Sequence, residues 1–313
     1  MKILVTGGGG FLGSVVVRAL AGRHEVVSLD HGRHYDALKK KIPMGVDWKR
    51  GDILDEAAVA EALQGVEAVI HTAGTVGERR CKADPAVSER MNVAGTEILV
   101  RAAVRQKVKR VFYTSTYWVY STYTPRPLPI PEDSELMTDS LYGEQKARSE
   151  KMIRESGLPH AIFRIAALYG YGTGVGSQWE NLIGKFVLAA FEGRPLTIFG
   201  DGLQKIDFVC VDDAARVMAD LLDRPGGGSR IFNLGGGRAV SVMEAARAFS
   251  EEMRKSTGRT IEIRTEPAPP GKVWPDKWLS VDRLRGFFPS YPFTPLEEGI
   301  RRTIEDYRVA RAA

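Results

Sequence analysis

A run of glycines stands directly behind the first β-prone residues. Ile3-Leu4-Val5-Thr6 leads into Gly7-Gly8-Gly9-Gly10-Phe11-Leu12-Gly13, and Phe11 to Ala21 continues with helical apolar spacing. This order constrains the fold more than any other feature, because a glycine turn between a strand and a helix makes a cradle for a pyrophosphate. Gly7 permits the tight turn, Gly10 lets backbone N–H groups approach an anion, and Gly13 lets the helix pack on the sheet. The helix N-terminus favours the negative charge placed there. About 20 residues further on, Asp30 ends the second β-prone run, where a carboxylate accepts hydrogen bonds from ribose hydroxyls. A 2′-phosphate would meet like charge, so NAD is favoured over NADP; Arg33 is the nearby charge that pulls the other way.

Strand-like and helix-like segments alternate through the first 165 residues. The strands are Ile3–Thr6, Glu25–Leu29, one ending near Arg50-Gly51, Ala68–His71, Lys109–Ser115 and Ile162–Ile165. Between them fall helices over Phe11–Ala21, Asp55–Leu63 (capped by Asp55), Pro85–Gln106 and Leu141–Glu155, the last ending at Gly157. Such alternation demands right-handed crossovers and an α/β architecture, a doubly wound parallel sheet with helices on both faces. Residues 1–168 read as a dinucleotide-binding domain that also carries the chemistry. Residues 169–313 read as a smaller substrate lobe, interleaved with the end of the sheet, with helices over Asn181–Glu192, Asp212–Leu222 and Val242–Thr257. Tyr123–Pro131, Tyr169–Gly176 and Pro267–Pro275 are Pro- or Gly-rich and read as loops.

Composition excludes several classes. With 313 residues, 43% apolar and 27% charged, the chain is neither disordered nor fibrous. Cys81 and Cys210 lie too far apart in sequence to suggest a zinc site or a disulfide framework. The N-terminus passes directly from a few apolar residues to glycines, unlike a signal peptide, and no apolar run approaches the ~18 residues of a membrane span. A soluble, cytoplasmic protein without a membrane partner is expected. Lys and Arg exceed Asp and Glu by 44 to 39, a net +5, and the basic clusters Lys39–Lys41 and Lys107–Arg110 contain no aromatics. Nucleic acid is not expected; a small anionic substrate suits the charge.

Oxidising an alcohol with a nicotinamide requires a base for the hydroxyl proton while hydride leaves carbon. Tyrosine, with an ordinary pKa near ~10, serves only where a cation stabilises its phenolate. A lysine four residues along a helix lies on the same face and supplies that cation. Two such pairs exist, Tyr35/Lys39 and Tyr142/Lys146. Tyr35 follows the second strand, at the adenosine end of a dinucleotide, where no hydride moves. Tyr142 opens the helix behind the fifth strand, whose end carries Thr114-Ser115-Thr116 at the carboxyl edge where ligands bind in such sheets. Thr116 is expected to hydrogen-bond the reacting oxygen and Tyr142 to act as acid and base. Lys146 is expected to lower the Tyr142 pKa and hold the nicotinamide ribose. His31 and His34 are spaced like ligands but read as solvated, and no metal site is expected.

The glycine motif, Asp30, Gly51-Asp52-Ile53, His71-Thr72-Ala73-Gly74 and Asn92-Val93-Ala94-Gly95-Thr96 occur in order. Behind them come Asp207-Phe208-Val209-Cys210-Val211-Asp212-Asp213, Phe232-Asn233-Leu234-Gly235 and Thr294-Pro295-Leu296-Glu297-Glu298-Gly299-Ile300. The chain resembles the extended short-chain dehydrogenases/reductases, the NAD-dependent epimerase/dehydratase group, and in pattern most of all the nucleotide-sugar 4-epimerases. That resemblance implies a Rossmann-type sheet, NAD as cofactor, and cofactor contacts from Gly7, Gly10, Phe11, Leu12, Asp30, His31, Thr72, Thr114, Tyr142 and Lys146. It also implies that Asp52 and Ile53 contact adenine, that the Ala73-Gly74 turn covers the pyrophosphate side, and that Asn92 steadies the strand near the nicotinamide. Thr116, Tyr142 and Lys146 match the family's triad.

The residues behind the hydroxyl narrow the reaction. The family's 4,6-dehydratases carry Asp-Glu where Tyr117-Trp118 stand here, and neither aromatic can supply the extra acid and base at neutral pH. The cysteine of the epimerase-reductases that make GDP-fucose is missing from the same stretch. A reaction confined to hydride and one proton remains: dehydrogenation or reduction, or 4-epimerisation of a UDP-hexose through a transient ketone. Ile206 stands where sugar-nucleotide enzymes usually carry Arg, Ala167 replaces their Asn, and Pro270-Gly271-Lys272 has no upstream arginine nearby. Lys205 can replace one cation as a point charge, and Asn181-Leu182 still match a diphosphate contact. The alternative is an NAD(P)-dependent dehydrogenase or reductase of a non-nucleotide alcohol, since Tyr113-Thr114-Ser115 also resembles the 3β-hydroxysteroid dehydrogenase and dihydroflavonol reductase branch. A non-enzymatic NAD sensor would need no Tyr/Lys pair. Most relatives pack the helices Pro85–Gln106 and Leu141–Glu155 against a second subunit, which implies a homodimer.

Overall fold

Strand β1 (Lys2–Thr6) is apolar on both faces, and Ile3, Leu4 and Val5 are fully buried, as a strand covered by helices on two sides must be. The computed structural model describes residues 1–40, 42, 45–121, 123–172, 180–224, 229–271, 274–289 and 291–312. Lys41, residues 173–176 of the glycine-rich stretch and Lys272 lie outside the described residues.

Behind β1 the chain runs α1 (Phe11–Leu20), β2 (Glu25–Asp30), α2 (Tyr35–Lys39), β3 (Val46–Arg50), α3 (Glu56–Ala62) and β4 (Ala68–His71). Then come α4 (Glu78–Ala83), α5 (Pro85–Glu89), α6 (Gly95–Arg105), β5 (Arg110–Thr116), α7 (Leu141–Glu155), β6 (His160–Ile165) and β7 (Ala167–Tyr169). The remainder is α8 (Leu182–Phe191), β8 (Leu196–Phe199), β9 (Lys205–Cys210), α9 (Val211–Leu222), β10 (Arg230–Leu234) and β11 (Ala239–Ser241). It closes with α10 (Val242–Thr257), β12 (Ile263–Glu266), α11 (Asp282–Phe287) and α12 (Leu296–Ala312).

Among the described residues the main sheet has seven strands, in the order β3-β2-β1-β4-β5-β6-β10. Pairs β1/β2, β1/β4, β2/β3 and β4/β5 are all parallel. Strand order reverses between β1 and β4, so their carboxyl ends open the crevice that binds ligands in such sheets. Register aligns Thr6 with Leu29 and His71, and His71 with Tyr113. Gly7, Asp30, Thr72 and Thr114 therefore follow one another along a single edge.

Local chemistry explains the helix ends. The Asp55 carboxylate accepts from the N–H groups of Ala57 and Ala58 at 2.9 and 3.1 Å, capping α3. Ser140 caps α7 by accepting from Gly143 N–H at 3.1 Å, and Gly157 takes a left-handed φ of 76° behind its end. The helix expected over Pro85–Gln106 differs in one respect: α5 and α6 are joined by a π-helical turn over Arg90–Ala94 that carries Asn92. Apolar periodicity does not register that one-residue widening.

Two compact units emerge. The first comprises Met1–Thr122, Glu135–Arg164 and Ala215–Phe232; the second comprises Tyr123–Ser134, Ile165–Ala214 and Asn233–Ala313. This differs from a single cut at 168/169, because the chain crosses between units several times. The second unit holds the three-stranded sheet β11-β9-β7 and the parallel pair β8/β12. Its core gathers Ile183, Phe186, Phe249, Met253, Ile300 and Ile304 from α8, α10 and α12. A capping box between Ser241 and Glu244 starts α10.

Candidate active site

The glycine turn is closed to side chains. Gly7 has φ 72°, and a Cβ built on it would lie 2.7 Å from the Ala73 nitrogen. A Cβ on Gly13 would lie 2.1 Å from the Gly7 carbonyl oxygen. Gly10 N–H donates to Gly7 O at 2.9 Å, and α1 then starts at Phe11 with no side-chain cap. Its first N–H groups have no side-chain cap, and Cβ atoms on Gly7, Gly10 and Gly13 would all meet backbone, a geometry that fits the pyrophosphate of a dinucleotide. Phe11 is buried and Leu12 half-buried in that first turn. The Asp30 carboxylate flanks the turn, accepting from Gly9 N–H and Gly32 N–H at 3.2 Å each. His31 is exposed. Asp52 accepts from Leu54 N–H at 2.9 Å, and Ile53 is buried in the core beside β2 and α3.

On the other side of the crevice, Thr72 Oγ1 donates to Thr6 O at 2.7 Å, tying β4 to β1. Gly74 has φ 155°; a Cβ there would lie 2.6 Å from Asn92 Oδ1 and 3.9 Å from Lys146 Nζ. Asn92 clamps the following residue, accepting from Thr75 N–H at 2.7 Å and donating to Thr75 O at 3.0 Å. It also donates to Gln145 Oε1 at 2.8 Å, next to Lys146 in α7.

Thr116, Tyr142 and Lys146 are gathered in the first unit, and all three are buried. Lys146 Nζ donates to Thr114 O at 2.9 Å and lies 4.7 Å from the centre of the Tyr113 ring. Thr114 Oγ1 donates to His71 O at 3.0 Å, fixing β5 to β4. The Thr116 hydroxyl accepts from Trp118 N–H at 3.4 Å, and the Trp118 ring meets Tyr142 edge-on at 5.8 Å. The rival pair is a core anchor: Tyr35 is fully buried and its hydroxyl donates to Ser28 O at 2.9 Å.

Several residues at the site carry no sequence signal. Glu78 accepts from Tyr142 N–H at 2.9 Å and from Leu141 N–H at 3.3 Å, and pairs with Lys82 at 3.0 Å. With Ser140, it satisfies the first three N–H groups of α7. Cys81, a free buried thiol, acts electrostatically on both Tyr142 and Lys146. Gln145 donates to Ser88 Oγ at 2.9 Å, linking α7 to α5.

Electrostatics corrects one expectation. Burial pushes the Tyr142 phenol above its ordinary value, with Cys81 adding to the rise; the expected lowering by Lys146 is not found. The reason is mutual: Lys146 is desolvated too, and burial brings it down to about 8, against opposing contributions from Cys81 and Glu150. His71 is held neutral by burial, its pKa down to about 3, with ring nitrogens 2.7 Å from Thr6 Oγ1 and 3.0 Å from Thr96 Oγ1.

The proposed substrate residues lie in the second unit. Asn181 Oδ1 caps α8 by accepting from Gly184 N–H at 2.7 Å, and Leu182 packs against that unit's core. Lys205 is exposed at the start of β9, and its N–H donates to Asp276 at 2.8 Å. Ile206 pairs with Val240 of β11. Among the described residues no group of His, Cys, Asp and Glu could hold a metal, and no helix is long and apolar enough to cross a membrane.

The family model described as NAD dependent epimerase/dehydratase matches residues 3–235. The chain belongs to this family. Its cofactor is accordingly NAD, which suits the backbone cradle and the Asp30 carboxylate. A UDP-glucose 4-epimerase of Azospirillum brasilense is 32% identical over 308 residues, covering 91% of this chain and 85% of the relative. A dTDP-glucose 4,6-dehydratase of Streptomyces niveus is 29% identical over 334 residues, covering 100% of this chain and 94% of the relative. Among solved structures, a UDP-glucose 4-epimerase of Thermotoga maritima with UDP-glucose superposes with a TM-score of 0.83 at 27% identity, over 99% of this chain and 100% of that one. As a member of the epimerase/dehydratase family, the chain keeps the mostly parallel α/β sheet of these structures.

Proposed function

We propose that this family member is a nucleotide-sugar 4-epimerase acting on a UDP-hexose through a transient ketone. The observation that carries this reading is the convergence of Thr116, Tyr142 and Lys146 with Gly74 and Asn92 at the carboxyl edge of β4 and β5. The similarity to UDP-glucose 4-epimerases supports the substrate class. NAD, when bound, accepts a hydride from the substrate carbon and can return it.

The chain's own residues handle the proton. Thr116 Oγ1 orients the reacting oxygen. Tyr142 Oη takes that oxygen's proton as the alcohol is oxidised and returns it as the ketone is reduced. Burial favours the neutral phenol, the form that donates, and raises the cost of the phenolate that proton abstraction requires. Lys146 is the cation proposed to offset that cost once substrate and cofactor are bound. Gly7, Gly10, Phe11 and Leu12 would bind the pyrophosphate, Asp30 and His31 the adenosine ribose, and Asp52 and Ile53 the adenine. Thr72, Ala73, Gly74, Asn92 and Thr114 would line the path to the nicotinamide, with Lys146 on its ribose. Asn181, Leu182 and Lys205 are proposed diphosphate contacts.

Dehydration is not part of the proposal. Tyr117 and Trp118 supply no second acid or base, and Glu78, the carboxylate bonded to the Tyr142 backbone, already accepts two N–H groups and pairs with Lys82. The test is incubation of purified enzyme with UDP-glucose or UDP-galactose: interconversion without net NADH is the expected result. Failure to convert any nucleotide sugar would reject the reading. Ile206 and Ala167, where sugar-nucleotide enzymes carry Arg and Asn, favour a second reading, a dehydrogenase or reductase of a non-nucleotide alcohol. That enzyme would accumulate NADH. Exposed Val87 and Val104, from α5 and α6, fit the proposed homodimer, which light scattering tests.

A further inference from the structure

Ser115 stands between the two threonines at the end of β5, and its hydroxyl donates to Glu150 Oε1 at 2.5 Å. Glu150 lies one helical turn beyond Lys146 on the same face of α7. Arg164 of β6 grips the same carboxylate, with Nε 3.1 Å from Oε1 and Nη2 2.7 Å from Oε2. Arg164 is braced in turn by Tyr120, whose hydroxyl accepts from Nη1 at 3.0 Å and whose ring centre lies 4.8 Å from the guanidinium carbon. Ser115, Tyr120, Glu150 and Arg164 are all buried, and the proton chemistry above uses none of them. Desolvation offsets much of the attraction in a buried ion pair, so a pair kept beside the site calls for a role other than stability.

We propose that Glu150 is a positioning residue for the reaction: gripped by Arg164, it fixes Ser115, and with it the Thr114 carbonyl and the Thr116 hydroxyl, while its charge sustains the Lys146 ammonium one turn away. This rests on the roles given above to Thr116, Tyr142 and Lys146. The groups that face Lys146 make Glu150 distinctive. Cys81 from α4, Tyr113 from β5 and Tyr142 from α7 are kept protonated by burial, and His71 from β4 is kept neutral. Glu78 of α4 is bonded to the α7 N-terminus and Lys82. Two groups oppose the burial of Lys146, Cys81 first and Glu150 second, and Glu150 is the carboxylate of the two.

The test reads Lys146 without needing turnover. In protein carrying nitrogen-15 lysine, the Nζ resonance of Lys146 is followed against pH. Glu150→Gln is expected to move that titration down by about one pH unit, since it keeps the shape and removes the charge. Ser115→Ala leaves the titration in place but lowers kcat for UDP-glucose about tenfold with little change in KM, the loss of one charge-assisted hydrogen bond at the strand end. A merely structural role would lower Tm in both variants and move neither readout. An unmoved Lys146 titration in Glu150→Gln, or unchanged kcat in Ser115→Ala, overturns the proposal. Tyr142→Phe separates it from the reading beneath it: a Tyr142→Phe enzyme that keeps the wild-type kcat defeats that chemistry, while the Lys146 titration in Glu150→Gln stands or falls by itself.

Discussion

The Lys146 ammonium is anchored to the Thr114 carbonyl at 2.9 Å, two residues before the Thr116 hydroxyl and one turn beyond the Tyr142 phenol. Burial brings Lys146 down to about 8. Its charge is thus largely present at neutral pH and disappears as pH rises through about 8. We expect kcat/KM to fall on the alkaline side with a midpoint near that value, since kcat/KM reports the free enzyme. Lys146→Arg, which cannot lose its proton in this range, should remove the alkaline limb whatever it does to the maximum rate. A wild-type profile flat to pH 10 would contradict this.

Removing the Tyr142 hydroxyl should cut turnover steeply while leaving the fold and cofactor binding nearly intact. The ring meets Trp118 edge-on, and the bond to the Glu78 carboxylate comes from the Tyr142 backbone N–H. Tyr142→Phe should therefore keep wild-type NAD affinity, measured by calorimetry. Its kcat should fall by about 10²–10⁴, the range for loss of a general acid–base group.

Elements whose signals are local could be read from sequence alone. Helix α7 runs over Leu141–Glu155 as expected because Ser140 caps it and Gly157 follows it. The glycine turn was legible because strand, turn and helix are contiguous. Asp30 was legible because it ends a strand of ordinary length. Helix α4 was missed: it starts behind Gly77, whose side-chain-free N-cap leaves no capping signature, and Glu78 spends its carboxylate on α7 instead. Glu150 and Arg164 look like surface charges in sequence, and only packing α7 on β6 brings them together. The direction of the Tyr142 shift escaped for a similar reason. Spacing shows that a lysine is near, but not that both groups are desolvated.

Gly13 tests the cofactor cradle. A Cβ there would sit 2.1 Å from the Gly7 carbonyl, a backbone atom that cannot swing aside, and 2.7 Å from Thr72 Oγ1. Gly13→Ala should therefore displace α1 from the turn and weaken NAD binding at least tenfold. Gly22→Ala is the control: it also replaces a glycine in the first unit, but no atom lies within 4 Å of its Cβ. Its φ of 83° will cost stability, about 1 kcal/mol, without touching NAD affinity. Equal NAD affinity in the two variants would mean that the cradle does not hold the pyrophosphate.

His71 makes a prediction about stability. Its folded pKa is lowered to about 3 from an ordinary 6.5 because the ring is fully buried between Thr6 and Thr96. Below pH 6.5 the unfolded chain binds a proton at this position that the folded chain refuses. The unfolded state is then favoured progressively as pH falls, until the folded pKa is reached near 3. The sign is a loss of stability on acidification, at most about 1.4 kcal/mol per pH unit from this one group. Carboxylates titrate in the same window, so the wild-type slope alone does not isolate the histidine. His71→Gln keeps polar atoms near both threonines but does not titrate. Its unfolding free energy, measured by urea titration from pH 6.5 to 4, should fall less steeply than that of the wild type, even if it starts lower. Parallel slopes would mean that the imidazole takes up its proton in the folded state, which a ring shut between two hydroxyls at the base of the cofactor crevice should not do.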